Sequence, residues 1–265
     1  MHRRLGIMQG RFTNKGGFFP QQFPWDSWKE EFFIAKEYGI DCIEWMFNSE
    51  SYSENPIWTG YGRKEIKNIV ATSGIAVNSI CANIFMQNSI REESTRDIWK
   101  RLIEAGEELS VRQIIIPLFE ASEIPDIEEL YGILGEIKEL IHGTGLCIGL
   151  ESDLLIEQQR IICETLHSEQ IGICYDVGNA AGKGYDCVKD VITIEKYLLE
   201  LHLKDKPYQG TSVMLGEGAV NFRSVFEVLK NWKQNCFILE SYFGKDAKND
   251  TVRNIQYIQG VQGNG

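Results

Sequence analysis

Leu146-Cys147-Ile148-Gly149-Leu150-Glu151, then a polar break, then apolar residues at helical spacing over 155–166, then Ile171-Gly172-Ile173-Cys174-Tyr175 followed by Asp176: this stretch reads as strand, helix, strand. A short, nearly continuous apolar run suits a strand buried on both faces, and two such runs joined by a helix make a βαβ unit with parallel strands. Both runs end on a carboxylate. Working outward, the same alternation places strands at 5–8, 42–45, 76–81 and 113–117 upstream and at 199–203 and 236–240 downstream, eight in all. Helices are predicted over 27–38, 64–72, 95–109, 127–142, 155–166, 188–196, 222–232 and from 247 to about 258. Pro125-Asp126 marks a helix start, and Gly39, Gly74 and Gly145 mark stops. An open doubly wound sheet would leave two strand edges exposed, whereas closure removes them. The expected fold is therefore α/β, a single (β/α)8 barrel forming one domain over residues 1–265. The longest connections, 10–26, 48–62, 83–94 and 205–221, follow strands one, two, three and seven and fall on the catalytic face of such a barrel.

Composition narrows the function classes. Hydrophobic residues are 43% and charged residues 25%, enough apolar material for a sizeable core. The net charge of -11, with no Lys/Arg cluster, argues against nucleic acid as a partner. No apolar run is long enough to cross a bilayer, and Met1-His2-Arg3-Arg4 has no signal-peptide core behind it, so no membrane partner and a cytoplasmic location are expected. Seven cysteines, five of them (Cys42, Cys81, Cys147, Cys174, Cys236) in strand-like runs and none in a CxxC pair, read as free thiols and not as a thiolate zinc site.

In a barrel of this kind a charged residue at the C-terminal end of a strand points into the mouth. Glu151 ends the fifth strand, Asp176 the sixth and Glu240 the eighth, while His202 lies on the seventh. Three carboxylates and one imidazole on four successive strands form a hard, mostly oxygen site for one divalent ion, suited to Mn2+, Mg2+ or Co2+ and compatible with Zn2+. Burying the three carboxylates together without a cation would be costly. Each alone has a plainer reading, a solvated loop acid or a hydrogen-bonded core histidine. Arg11 and Glu44 also fall on the active face as candidate substrate contacts. Gly216-Glu217-Gly218 reads either as a phosphate-cradling turn, with Lys204 and Lys206 as neutralising charges, or as a tight loop ahead of the seventh helix.

Tyr175-Asp176-Val177-Gly178-Asn179, Leu201-His202-Leu203-Lys204-Asp205, the segment from Gly216 to Phe222, and Leu239-Glu240-Ser241 resemble the xylose isomerase-like barrels, over nearly the whole chain. Within them the resemblance is to the sugar and sugar-phosphate isomerases and epimerases, notably ketose 3-epimerases acting on hexulose and pentulose phosphates. It implies that Glu151, Asp176, His202 and Glu240 hold the metal and that Glu151 and Glu240 serve as acid and base. Asn221 stands where the family often has Asp. Asn83 and Asn179 stand where some members have His, and Glu157 matches a substrate-binding glutamate of some free-sugar epimerases. Asn83, Asn179 and Glu157, together with Lys204 and Glu217, are candidate substrate residues. Relatives are often dimers or tetramers, so a homo-oligomer is expected.

The implied chemistry is proton transfer next to a carbohydrate carbonyl through a cis-enediolate, one glutamate removing the proton and the other returning it. A metal-dependent dehydratase or isomerase of a small polyol or keto acid is the nearest alternative. An abasic-site endonuclease fits poorly, because the chain has only four histidines and His2, His142 and His167 lie at its start or in helices. A non-catalytic barrel is the remaining class.

Overall fold

The β-rich runs fold as strands because they are mostly apolar, and the few polar residues inside them, such as Glu44, Ser79 and Glu200, are themselves buried. In the computed structural model, which describes residues 4–14, 21–124, 126–234 and 236–263, Ile114, Ile115 and Ile116 of the fourth strand are fully buried, as are Phe237, Ile238 and Leu239 of the eighth. The strands are β1 (Arg4–Met8), β2 (Cys42–Met46), β3 (Ala76–Cys81), β4 (Gln113–Leu118), β5 (Cys147–Ser152), β6 (Ile171–Asp176), β7 (Leu198–Leu203) and β8 (Cys236–Leu239). They hydrogen-bond in chain order and close, β1 pairing in parallel with β8 through Arg4↔Cys236 to Ile7↔Leu239. This is the (β/α)8 barrel expected, with every strand within one residue of its predicted bounds at either end.

The helices are α1 (Trp28–Glu37), α2 (Gly60–Ser73), α3 (Ile84–Gln87), α4 (Arg96–Leu109), α5 (Ile127–Ile141), α6 (Ile156–Leu166), α7 (Val177–Gly182), α8 (Cys187–Ile194), α9 (Phe222–Val228) and α10 (Ala247–Gly263). Local chemistry sets their ends. Thr59 caps α2 by accepting Gly62 N–H, and Gly74 closes it at φ 79°, a left-handed conformation that glycine adopts without strain. Asp126 and Asp186 cap α5 and α8 in the same way. Two short helices, α3 and α7, were not expected. The second follows β6 without a break because Asp176, read as a strand-end acid, is also its N-cap. The seventh predicted helix starts where expected, at Phe222, but as α9 it stops at Val228, short of 232. Pro125, part of a predicted start signal, and His2 lie outside the described residues.

Two compact units make up the chain, residues 1–43 with 174–265, and residues 44–173, their boundaries falling inside β2 and β6. In the first, Phe226 and Trp232 meet Phe237 edge to face at 5.1 and 5.3 Å, and Trp232 Nε1 donates to Leu198 O at 3.1 Å. In the second, Phe85 stacks on Trp99 at 4.5 Å, and Ser122 Oγ donates to Phe85 O. All seven cysteines are free, and the five predicted in strands are there. Among the described residues no helix is long and apolar enough to cross a membrane.

Candidate metal centre

Asp176, at the end of β6, divides its carboxylate between two tasks. Oδ1 accepts the backbone N–H groups of Gly178 at 2.8 Å and Asn179 at 2.9 Å, which caps α7, while Oδ2 receives Lys204 Nζ at 2.7 Å. The same ammonium lies 2.7 Å from Glu240 Oε1. Glu240 follows β8 directly, and its other oxygen, Oε2, lies 3.0 Å from His202 Nδ1 on β7. Arg11, in the turn after β1, approaches Glu240 Oε1 at 3.7 Å and is held there by Met8 Sδ at 3.5 Å and the ring of Phe243 at 5.7 Å. Gln21 donates to Glu240 Oε1 as well. Burial alone would raise the Glu240 carboxyl, but Lys204, His202 and Arg11 outweigh it and hold Glu240 well below the usual carboxylate range. Glu240 is an anion in a place almost closed to solvent.

Glu151 lies on β5, in register with Pro117 of β4, and is buried. Glu151, Asp176, His202 and Glu240 each offer one ligand atom, and these atoms lie within 4.8 Å of one another. A family model described as Xylose isomerase-like TIM barrel matches residues 32–260. The chain belongs to that family.

Solved structures agree on the fold. Similar to this xylose isomerase-like barrel are D-psicose 3-epimerase with D-tagatose from Clostridium cellulolyticum H10 (13% identity, TM-score 0.72, 97% of this chain and 98% of that one), and the IOLI protein with a binding zinc atom (15%, 0.71, 98% and 96%). A third is a xylose isomerase-like TIM barrel protein from Mycobacterium smegmatis in complex with magnesium (16%, 0.71, 98% and 96%). No curated protein matches by sequence. At these identities the likeness is one of fold.

The donor set of this xylose isomerase-like barrel fits a divalent cation. Carboxylates gathered out of water repel one another and lack solvation, so the place calls for positive charge. Lys204 already answers that call by bridging Asp176 and Glu240. Three carboxylates and an imidazole are ligands for a hard or borderline ion.

The other predicted site residues are spread more widely. Glu44 is fully buried on β2 and accepts from Ser79 Oγ at 2.9 Å. Asn83 precedes α3, its Oδ1 3.2 Å from Cys81 Sγ and its Nδ2 3.4 Å from Asn48 Oδ1. Asn179 Oδ1 accepts Lys206 Nζ at 2.6 Å. Glu157 is exposed on α6 and pairs with Arg160 at 2.8 Å, so the fold does not bring it to the cluster. Glu217 is exposed too. Its glycine turn wraps a carboxylate of the chain itself: Gly216 N and Gly218 N donate to Asp205 Oδ2 at 2.9 and 3.0 Å, and Val220 N to Oδ1 at 3.1 Å. Those amides are committed to Asp205, so the tight-loop reading describes the turn. A Cβ on Gly218 would stand 2.2 Å from Asp205 Oδ1, which is why only glycine fits.

Gln21, Glu31 and Glu200 stand in no motif that marks them in the sequence. Glu31, on α1, accepts from the backbone N–H groups of Gly10 (2.8 Å), Phe12 (3.2 Å) and Thr13 (3.2 Å), and from Thr13 Oγ1 (2.9 Å). It thereby fixes the turn that carries Arg11. Burial pushes its carboxyl up to about 7 against the pull of those donors. In sequence it is one of two adjacent acids in a helix first turn, a common pattern with no functional colour.

Proposed function

We propose that this xylose isomerase-like barrel is a divalent-metal-dependent sugar or sugar-phosphate isomerase or epimerase, with Glu151 and Glu240 as its proton-transfer pair. The observation that carries the reading is the group of four buried donors, three carboxylates and one imidazole, with ligand atoms within 4.8 Å of one another. Glu151, Asp176, His202 and Glu240 would hold the ion. When bound, it supplies Lewis-acid polarisation of a substrate carbonyl and makes the adjacent C–H more acidic.

The chain's own groups do the rest. Against burial, Lys204 and Arg11 keep Glu240 ionised, and so it is available to accept a proton from the carbon next to the carbonyl. Glu151, starting protonated, gives its proton to the opposite face of the same carbon for epimerisation or to the neighbouring carbon for isomerisation, and the two glutamates end with their protonation states exchanged, to be reset by proton exchange with solvent. Arg11 and Lys204, both cationic and largely buried beside Glu240, are placed to orient substrate oxygens and to balance negative charge as it develops. The epimerase neighbour with D-tagatose supports a carbohydrate as the substrate class. The chain itself we take to act in the cytoplasm as one domain.

The test is exchange. Metal-loaded protein incubated in D2O with a panel of ketoses and their phosphates should place deuterium on the carbon next to the carbonyl, read by proton NMR. Loss of water from a polyol or keto acid, with no label retained in a sugar, would instead make it a dehydratase. Absence of exchange from every substrate, with metal bound at the four donors, would end the enzymatic reading.

A further inference from the structure

One inward position before His202 on β7 sits a second buried acid. Leu198-Leu199-Glu200-Leu201-His202-Leu203 alternates faces, so Glu200 and His202 point to one side of the sheet and Leu199, Leu201 and Leu203 to the other. Glu200 is fully buried. Its Oε1 lies 3.4 Å from His202 Nε2, and its Oε2 accepts from Cys236 Sγ at 3.5 Å. A hydrogen bond with Cys42, together with burial, raises the Cys236 thiol well above its ordinary range and keeps it a donor. His202 is thus flanked by two carboxylates, Glu200 on the Nε2 side and Glu240 on the Nδ1 side.

An imidazole that binds a metal offers one nitrogen and needs its proton on the other. We infer that Glu200 is a positioning residue for His202: it accepts the Nε2–H, fixes that tautomer and the ring's orientation, and leaves the Nδ1 lone pair for the cation. The inference rests on the metal reading above. The opposite tautomer would set the Nε2 lone pair against Glu200 Oε1 where both groups are fully buried, whereas the chosen one sets the Nδ1 lone pair towards Glu240 Oε2, a contact that a cation held by both of those ligands would relieve. Cys174, Glu200 and His202 also lie close enough to hold an ion of their own. They do not form a second site, because a neutral His202 has one lone pair and cannot serve both groups, and Glu200 is engaged by the Cys236 thiol. They form the floor under the first.

Two measurements test this. In protein labelled with 15N-histidine and loaded with Zn2+, His202, one of only four histidines, should show a protonated Nε2 and a zinc-bound, unprotonated Nδ1. By calorimetry, Glu200→Leu should weaken Zn2+ binding about 10- to 100-fold, while Glu200→Gln, which keeps an acceptor oxygen, should lose less than about tenfold. Zinc on Nε2 with the proton on Nδ1 overturns the inference, as does a folded Glu200→Leu protein that binds Zn2+ within about twofold of wild type. If Glu200→Leu fails to fold, the ring protonation in the wild-type protein decides alone. Failure of the wild-type protein to bind any Zn2+ is a different result: it removes the metal reading first, and this inference with it.

Discussion

Lys204 Nζ lies 2.7 Å from Glu240 Oε1, with Glu240 almost withdrawn from solvent. The ammonium and a divalent ion would draw on the same carboxylate oxygens. Lys204→Met keeps much of the aliphatic stem and removes that competing charge, so Mn2+ should bind more tightly, by about tenfold, or ~1.4 kcal/mol. Turnover should fall at the same time, because a cation that orients substrate has gone. Calorimetric titration with Mn2+ checks the first half, and unchanged or weaker binding would show that the ammonium does not compete.

The two glutamates proposed to move the proton should be unequal to their amides. Glu151→Gln and Glu240→Gln are each expected to lower the deuterium-exchange rate by about 10²–10⁴-fold. Comparison is made at saturating metal, with occupancy measured separately, so that weaker ion binding is not mistaken for lost chemistry. Near-wild-type exchange in Glu240→Gln would sink the two-base scheme.

Glu31 gives a dependence on pH. Its folded pKa of about 7 stands above the ordinary 4.5, so the folded protein holds this proton more tightly than the unfolded chain. The contribution to stability is therefore full below about pH 4.5, declines as pH rises from there to about 7, and is level above, for a total of roughly 3 kcal/mol. Urea unfolding at pH 5.5 and pH 8 should show wild type losing more stability across that interval than Glu31→Gln. Equal losses would mean that the backbone donors of the Arg11 turn, and not burial, govern the carboxyl.

Gly178 lies where β7 passes under α7. A Cβ there would stand 2.6 Å from the carbonyl carbon of Lys204 and 2.7 Å from its Cβ, positions that cannot yield without moving the strand end. Gly178→Ala should cost about 1–3 kcal/mol and weaken metal binding by displacing Lys204 and the Asp176 cap. Gly182→Ala serves as the comparison, since its nearest contacts are the flexible Lys206 side chain at 3.2 Å and beyond. A thermal melt in which both variants lose the same stability would refute the distinction.

The fold was legible because a strand in a parallel barrel is apolar on both faces and a surface helix only on one, a difference of period that survives without coordinates. Runs such as 113–117 and 236–240 announce themselves. The metal candidates were legible for a related reason: a lone carboxylate after Ile-Gly-Leu or Phe-Ile-Leu breaks an apolar run at its end, where a barrel opens. Short elements were not. α7 has only six residues and takes its cap from Asp176, so neither length nor a polar break distinguished it.

Sequence alone determined which strands exist, their order, and that Glu151, Asp176, His202 and Glu240 stand at or near strand ends, because these follow from periodicity and position along the chain. Only the tertiary structure decided what each group faces. It turned the amides of the Gly216 turn onto Asp205, sent Glu157 to solvent with Arg160, and set Lys204 between two acids and Glu200 beside His202. Those choices depend on the register and stagger of neighbouring strands and on where loops fold back. Residues far apart in the chain settle them together, so no single stretch encodes them.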